Sequence, residues 1–158
     1  MRKRIINPVS QQNLNSDHKW LDIEELALVE VSSEDHTFPI ESALLPGKTS
    51  AGWRASAPGK QVVRLLFDTP QPLKWIKLSF EESDVERTQE YVLRWSPDKG
   101  ESYQEIVRQQ WNFNPESASS EIENYQVALP AVTVLELAIN PDISKGNGIA
   151  SIKAFWLA

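Results

Sequence analysis

Through much of this chain apolar and polar residues alternate at every second position. Residues 61–68 carry Val63, Leu65 and Phe67 on one face and Val62, Arg64 and Leu66 on the other. Both faces are partly apolar, as in a central strand. Residues 73–81 set Ile76, Leu78 and Phe80 against Lys77, Ser79 and Glu81, the pattern of a half-buried strand. Residues 88–96 put Tyr91, Leu93 and Trp95 in phase, and 103–113 do the same with Val107, Trp111 and Phe113. Shorter β-like runs cover 26–32, 52–56, 121–129, 131–140 and 149–157.

Turn residues punctuate these runs at fairly even spacing. Thr69-Pro70-Gln71-Pro72 reads as a turn between two strands. Pro97-Asp98-Lys99-Gly100 reads as a hairpin, with proline presetting φ, Asp98 bonding its own backbone and Gly100 taking a positive φ. The glycine-rich 141–148 separates the last two runs, and 81–87 and 114–120 read as charged and polar loops. Residues 38–47, bounded by prolines, read as a turn-rich excursion too short for a helix. Residues 20–25 read as one helical turn or a lead-in. No segment has the period of a helix of ten or more residues. About eight strands of this kind predict an all-β fold of two packed antiparallel sheets.

The chain has 158 residues, the size of one domain. The expected organisation is a tail or lead-in over 1–19 and one sandwich over 20–158, complete at its C-terminal strand. There is no cysteine, which excludes disulfides, zinc–thiolate sites and cysteine nucleophiles. The opening Met-Arg-Lys-Arg is followed by Gln11, Gln12, Asn13 and Asn15 rather than an apolar stretch, so neither a secretory signal nor a membrane span is read. Together with the missing cysteines this favours a cytoplasmic location. The net charge is −6, and Arg2, Lys3 and Arg4 form the one basic run, read as a solvated tail; no nucleic-acid partner is expected.

A search for chemistry finds little. His18 and His36 lie in polar segments and read as solvated, so no histidine metal site is expected. There is no Gly-x-Ser-x-Gly, no phosphate loop and no dinucleotide fingerprint. Glu81, Glu82, Asp84 and Glu86 cluster, and read as a solvated loop before an acid–base pair. No catalytic residue and no cofactor is assigned. The six tryptophans say more. Trp95 and Trp53 read as core, Trp20 as a clamp on the sandwich, and Trp75 and Trp156 as out of phase and ambiguous. Trp111 is open to two readings: core, by its phase with Val107 and Phe113, or a stacking plate beside Asn112 and Asn114.

Several segments resemble, in order, the discoidin-like domains (coagulation-factor type C) of the galactose-binding-like fold. They are Gly52-Trp53-Arg54-Ala55-Ser56; the strand pair 61–68 and 72–78 joined through proline; Tyr91 to Gly100 with Tyr103; and Leu135 to Pro141 with Ala150-Ser151-Ile152. The resemblance spans 26–158 and implies an eight-stranded jelly-roll β-sandwich that binds ligands at the loops of one end. It departs from the family in lacking the bridging cysteine pair. In the loop where many sugar-binding members hold calcium, 45–50 reads Leu-Pro-Gly-Lys-Thr-Ser, without a carboxylate, so no calcium site is expected.

The expected function is therefore a non-catalytic binding module for a carbohydrate or other small polar ligand. The alternative is an intracellular protein-interaction domain on the same fold, using Trp75 and Trp156. The candidate ligand surface joins Arg54, Arg87, Arg108, Trp111 and Asn112: planar guanidinium forks, an amide and a stacking face.

Overall fold

A computed structural model describes Arg2 and residues 19–47, 51–144 and 146–158. Most of the expected tail, including His18, and positions 48–50 of the calcium-loop counterpart lie outside the described residues. The described elements are two single-turn helices, α1 (Ile23–Leu26) and α2 (Glu41–Leu44), and eight strands. The strands are β1 (Ala27–Val31), β2 (Trp53–Arg54), β3 (Gln61–Glu81), β4 (Arg87–Ser96), β5 (Gln104–Phe113), β6 (Ser120–Asn140), β7 (Ser151–Ile152) and β8 (Ala154–Leu157). The fold is the expected antiparallel β-sandwich with little helix.

The strands divide differently from the sequence reading. The proline segment 69–72 does not end a strand. β3 runs through it for 21 residues, with its register to β6 shifting between Leu66 and Trp75. β6 likewise runs 21 residues through Pro130. At an irregular bend a proline gives up a ladder bond that is already broken, so strand continuity survives. Conversely, the single run expected over 149–157 is two short strands interrupted at Lys153. The stretch 38–47 does form one helical turn, whose Ala43 and Leu44 are buried.

Because β3 and β6 both bend, one hydrogen-bonded sheet supplies both layers. The first halves of β3 and second half of β6 lie in the order β1-β3-β6-β4-β5. Past the bend, β3 pairs β8 on one side and the first half of β6 on the other. The inner faces meet in a core of Val63, Leu65, Leu78, Phe80, Tyr91, Leu93, Leu135, Leu137 and Phe155. Trp53 and Trp95 belong to this core, as read from the sequence, and the Trp53 Nε1 donates to the Ser33 carbonyl at 3.1 Å. β2 and β7 form a separate two-stranded patch. Gly52 sits there at φ +76°, where an added Cβ would lie 2.3 Å from the Ile152 carbonyl oxygen, so only glycine fits.

The outer face of the five-stranded layer carries a row of alternating charge. Glu30, Arg64, Glu136, Arg94 and Glu105 lie opposite one another across β1, β3, β6, β4 and β5. Glu136 is at the centre and accepts from Arg64 Nε at 2.7 Å and Arg94 Nε at 2.6 Å. The expected hairpin at 97–100 is present. Gly100 has φ +89° and Lys99 also takes the left-handed region at +59°. Asp98 accepts from the hydroxyls of Ser96 and Ser102 and from the Ser102 amide, fixing the turn.

Candidate functional site

The last strand fixes the two ends of the sandwich. Ala158 bonds the backbone at Lys74 and Trp75, so the C-terminus lies at one end. At the other end gather the loop after β3, the start of β4 and the segment between β6 and β7. There a cavity of about 480 Å³ is lined by Ala51, Trp53, Arg54, Glu81 to Val85, Arg87, Asp142, Asn147 to Ile149 and Ser151 to Lys153.

Arg87 forms its rigid wall. The side chain is almost wholly buried at the first position of β4, with its guanidinium over the Phe113 ring at 4.8 Å. Its Nε donates to Glu82 Oε1 at 2.7 Å, and its Nη1 donates to the Pro141 carbonyl at 2.7 Å and to Gln89 Oε1 at 3.2 Å. Its Nη2 has no partner. Burial acts to raise the Glu82 carboxyl, but the hydrogen bond from Arg87 and the amides of Asp84 and Val85 outweigh it and hold the group below its usual range. Asp142 is buried, and its Oδ1 accepts from the Ser144 amide at 3.0 Å and hydroxyl at 2.7 Å. Lys153 Nζ lies 3.7 Å from Glu81 Oε2, and Arg54 rests over the Phe38 ring at 4.8 Å.

Two apolar side chains, Val85 and Ile149, stand exposed among the lining residues. The cavity thus combines guanidinium and ammonium donors, carboxylate acceptors and apolar surface. That set suits a small ligand with many hydroxyls and a partly apolar face. No group of three or more metal-ligating side chains is found among the described residues.

The five sequence-chosen residues separate. Arg54 and Arg87 line the cavity. Arg108 and Asn112 lie on the outer face of the five-stranded layer. Arg108 is ion-paired to Glu90 and Glu105 at 2.9 Å each, and Asn112 Oδ1 accepts from the Thr88 hydroxyl at 2.9 Å. Trp111 is opposite Gln89 on the inner face, half-buried against the core, with its Nε1 buried and unpartnered. The reason is the two-residue period of a strand: 108 and 112 share a face, and 111 must point the other way. The acidic loop departs from its solvated reading at Glu82, which is drawn inward by Arg87. Asp142 and Lys153 were not selected from the sequence. They reach the cavity from loops distant in the chain, and no local motif marks them.

The tryptophans left ambiguous also resolve. Trp75 and Trp156 are half-buried. Trp156 is covered by Trp20, at 5.7 Å between ring centroids, and by Lys77 at 4.7 Å, so Trp20 does clamp the sandwich.

No protein-family model matches the sequence. No curated protein matches it either. Solved structures do match its fold. One is the family 32 carbohydrate-binding module of AlyQ, in complex with 4,5-unsaturated mannuronic acid. It has a TM-score of 0.62 and 17% identity, over 89% of this chain and 98% of that one. Another is the family 32 module of NanJ from C. perfringens, in complex with galactose, with a TM-score of 0.61 and 14% identity over 87% and 96%. A third is chitosan-binding module 1 of a chitosanase/glucanase from Paenibacillus sp. IK-5, with a TM-score of 0.58 and 15% identity over 84% and 94%. In a Ruminococcus gnavus fucosidase the similar part is 25% of a longer chain. The structure therefore has the galactose-binding-like jelly-roll fold of these modules.

Proposed function

We propose that this chain is a non-catalytic carbohydrate-binding module whose ligand sits in the loop-end cavity. The observation that carries this reading is the cavity itself, at the end of the sandwich away from the C-terminus. It has a fixed guanidinium wall, exposed carboxylate at Asp84 and apolar plates at Val85 and Ile149. Two of the similar modules were solved with 4,5-unsaturated mannuronic acid and with galactose bound, which supports a sugar ligand in this reading. Arg54 and Arg87 remain the ligand residues of this reading. Arg108 and Asn112, on the outer face, serve as its control. A discoidin-like assignment within the same fold belongs to this proposal as well. A protein partner on Trp75 and Trp156 is the weaker reading, because Trp156 is already covered by Trp20 and Lys77.

A glycan array followed by calorimetry on the best hit tests it. Arg54→Ala and Asp84→Asn should each lower affinity about tenfold, a typical loss for one polar contact to a charged group. Their melting temperatures should stay near that of the parent. Arg108→Ala/Asn112→Ala should bind as the parent does. Binding lost in the control and kept in the cavity variants would move the site to the outer face. No glycan bound at all would sink the reading.

A further inference from the structure

The interior of the sandwich is chemically incomplete in one place among the described residues. The second half of β6 is hydrogen-bonded on both sides, by β3 and β4, but its first half pairs with β3 alone. The inward side chains of that half are Glu121, Glu123 and Tyr125. Glu121 lies opposite Phe80 and is 2% exposed, yet neither carboxyl oxygen has a hydrogen-bond partner.

The groups around it offer hydrogen-bond donors, and the one guanidinium on the inner face of β4, Arg87, is already ion-paired to Glu82. Tyr91 on β4 stacks on Phe80, with ring centroids 5.1 Å apart, and its hydroxyl lies 2.5 Å from that of Tyr125. Glu123 adds a second negative charge on the same face of β6. From β4, Arg87 binds Glu82 and the Pro141 carbonyl through Nε and Nη1, while its Nη2 is buried without a partner. The inward positions of β3 and β5 facing this region are Leu78, Phe80, Val107, Gln109, Trp111 and Phe113, none of them charged. One inward pair nearer the loop end than Tyr91, Gln89 Nε2 and Trp111 Nε1 are also buried without partners. Buried donors and a buried carboxyl left apart in this way each carry a desolvation cost that a partner would relieve. Burial first, and the charge of Glu123 second, push the Glu121 carboxyl from an ordinary 4.5 up to about 7.

We propose that Glu121 is a proton-operated latch on the open side of the sandwich. When neutral, it lets the first half of β6 pack against β4. When ionised, it must gain water or the free nitrogens of Arg87, Gln89 and Trp111, and it does so by lifting the start of β6 from the core. No other edge holds this segment, because its far side bonds no strand among the described residues.

The test compares the parent with Glu121→Gln, an isosteric side chain that cannot ionise. The parent's melting temperature should fall by roughly 5–10 °C more than the variant's between pH 5 and pH 7.5. Hydrogen exchange of the amides at 120–123, corrected for intrinsic rate, should be about tenfold faster in the parent than in the variant at pH 8. Carbon-detected nuclear magnetic resonance on glutamate-labelled parent should show the Glu121 carboxyl titrating near neutrality. Identical pH dependence in the two proteins overturns the latch, as does a Glu121 titration in the ordinary carboxylate range. If the variant does not fold, the parent's own titration and its exchange at pH 5 against pH 8 decide the matter. Exchange at 120–123 that rises between pH 5 and pH 8 no more than the intrinsic rate does overturns the proposal.

Discussion

Glu121 and Glu136 lie on the same strand, are buried to nearly the same depth, and end in opposite electrostatic states. Glu136 is 3% exposed on the outer face, where β6 has neighbours on both sides. Burial acts to raise its carboxyl, but the hydrogen bonds from Arg94 and Arg64 outweigh it and hold the group below its usual range. Glu121 lies on the half of β6 with one neighbour, faces two phenols and another carboxylate, and is raised instead. The comparison teaches that burial alone does not set the protonation of a carboxyl. What decides is whether the adjoining strand exists and which side chain it places opposite.

The signs of the two linkages are opposed. The Glu136 contribution is present above the unfolded carboxylate range and lost as pH falls through and below it. Glu121 behaves in reverse. Its unfolded form releases a proton from about 4.5 upward while the folded form keeps it to about 7, so stability is full below 4.5 and declines across that window. Urea titrations across pH should therefore show stability falling on both sides of a maximum near the lower end of that window.

Four substitutions break or sharpen this contrast. The largest effect is expected for Glu136→Ala, which strands two arginine side chains and should cost about 3 kcal/mol at pH 7 by urea unfolding. A loss below about 1 kcal/mol would mean that water replaces the carboxylate at the half-exposed arginines. Glu121→Gln should work in the other direction. At pH 8 it should stabilise by about 2 kcal/mol, and at pH 4.5 it should change almost nothing. A stabilisation that is equal at both pH values would assign the gain to packing rather than to ionisation. Tyr91→Phe removes one hydroxyl of the Tyr91–Tyr125 pair and should cost about 1 kcal/mol at pH 5, read from the melting temperature. Glu30→Ala, at the exposed end of the charged row and 3.4 Å from Arg64, should change stability by less than about 0.5 kcal/mol. A larger value would show that the row acts as a unit.

Much of this architecture is readable along the chain. The alternation in 61–68 and 88–96 identifies inward Val63, Leu65, Tyr91, Leu93 and Trp95, all buried. The Pro97–Gly100 turn is legible because its chemistry is local. The candidate site is legible only in part. Arg54 and Arg87 reach the cavity, yet the partners that fix Arg87 come from Glu82, Gln89 and Pro141, and Pro141 is 54 residues away in sequence. Arg108 and Asn112 join Trp111 in the sequence-chosen surface for their chemistry, and the strand's alternation sets them on the opposite face.

The sequence by itself determined the strand pattern, the hairpin and the all-β class, because a two-residue period and turn chemistry depend on neighbours within a few positions. Tertiary structure alone decided that the proline segments bend two long strands between layers rather than end them. It also decided which glutamate of β6 meets arginines and which meets phenols, and which loops close around Arg87. The physical reason is that charge pairing and burial depend on cross-strand partners, and the register that sets those partners is chosen by the packing of the whole sheet.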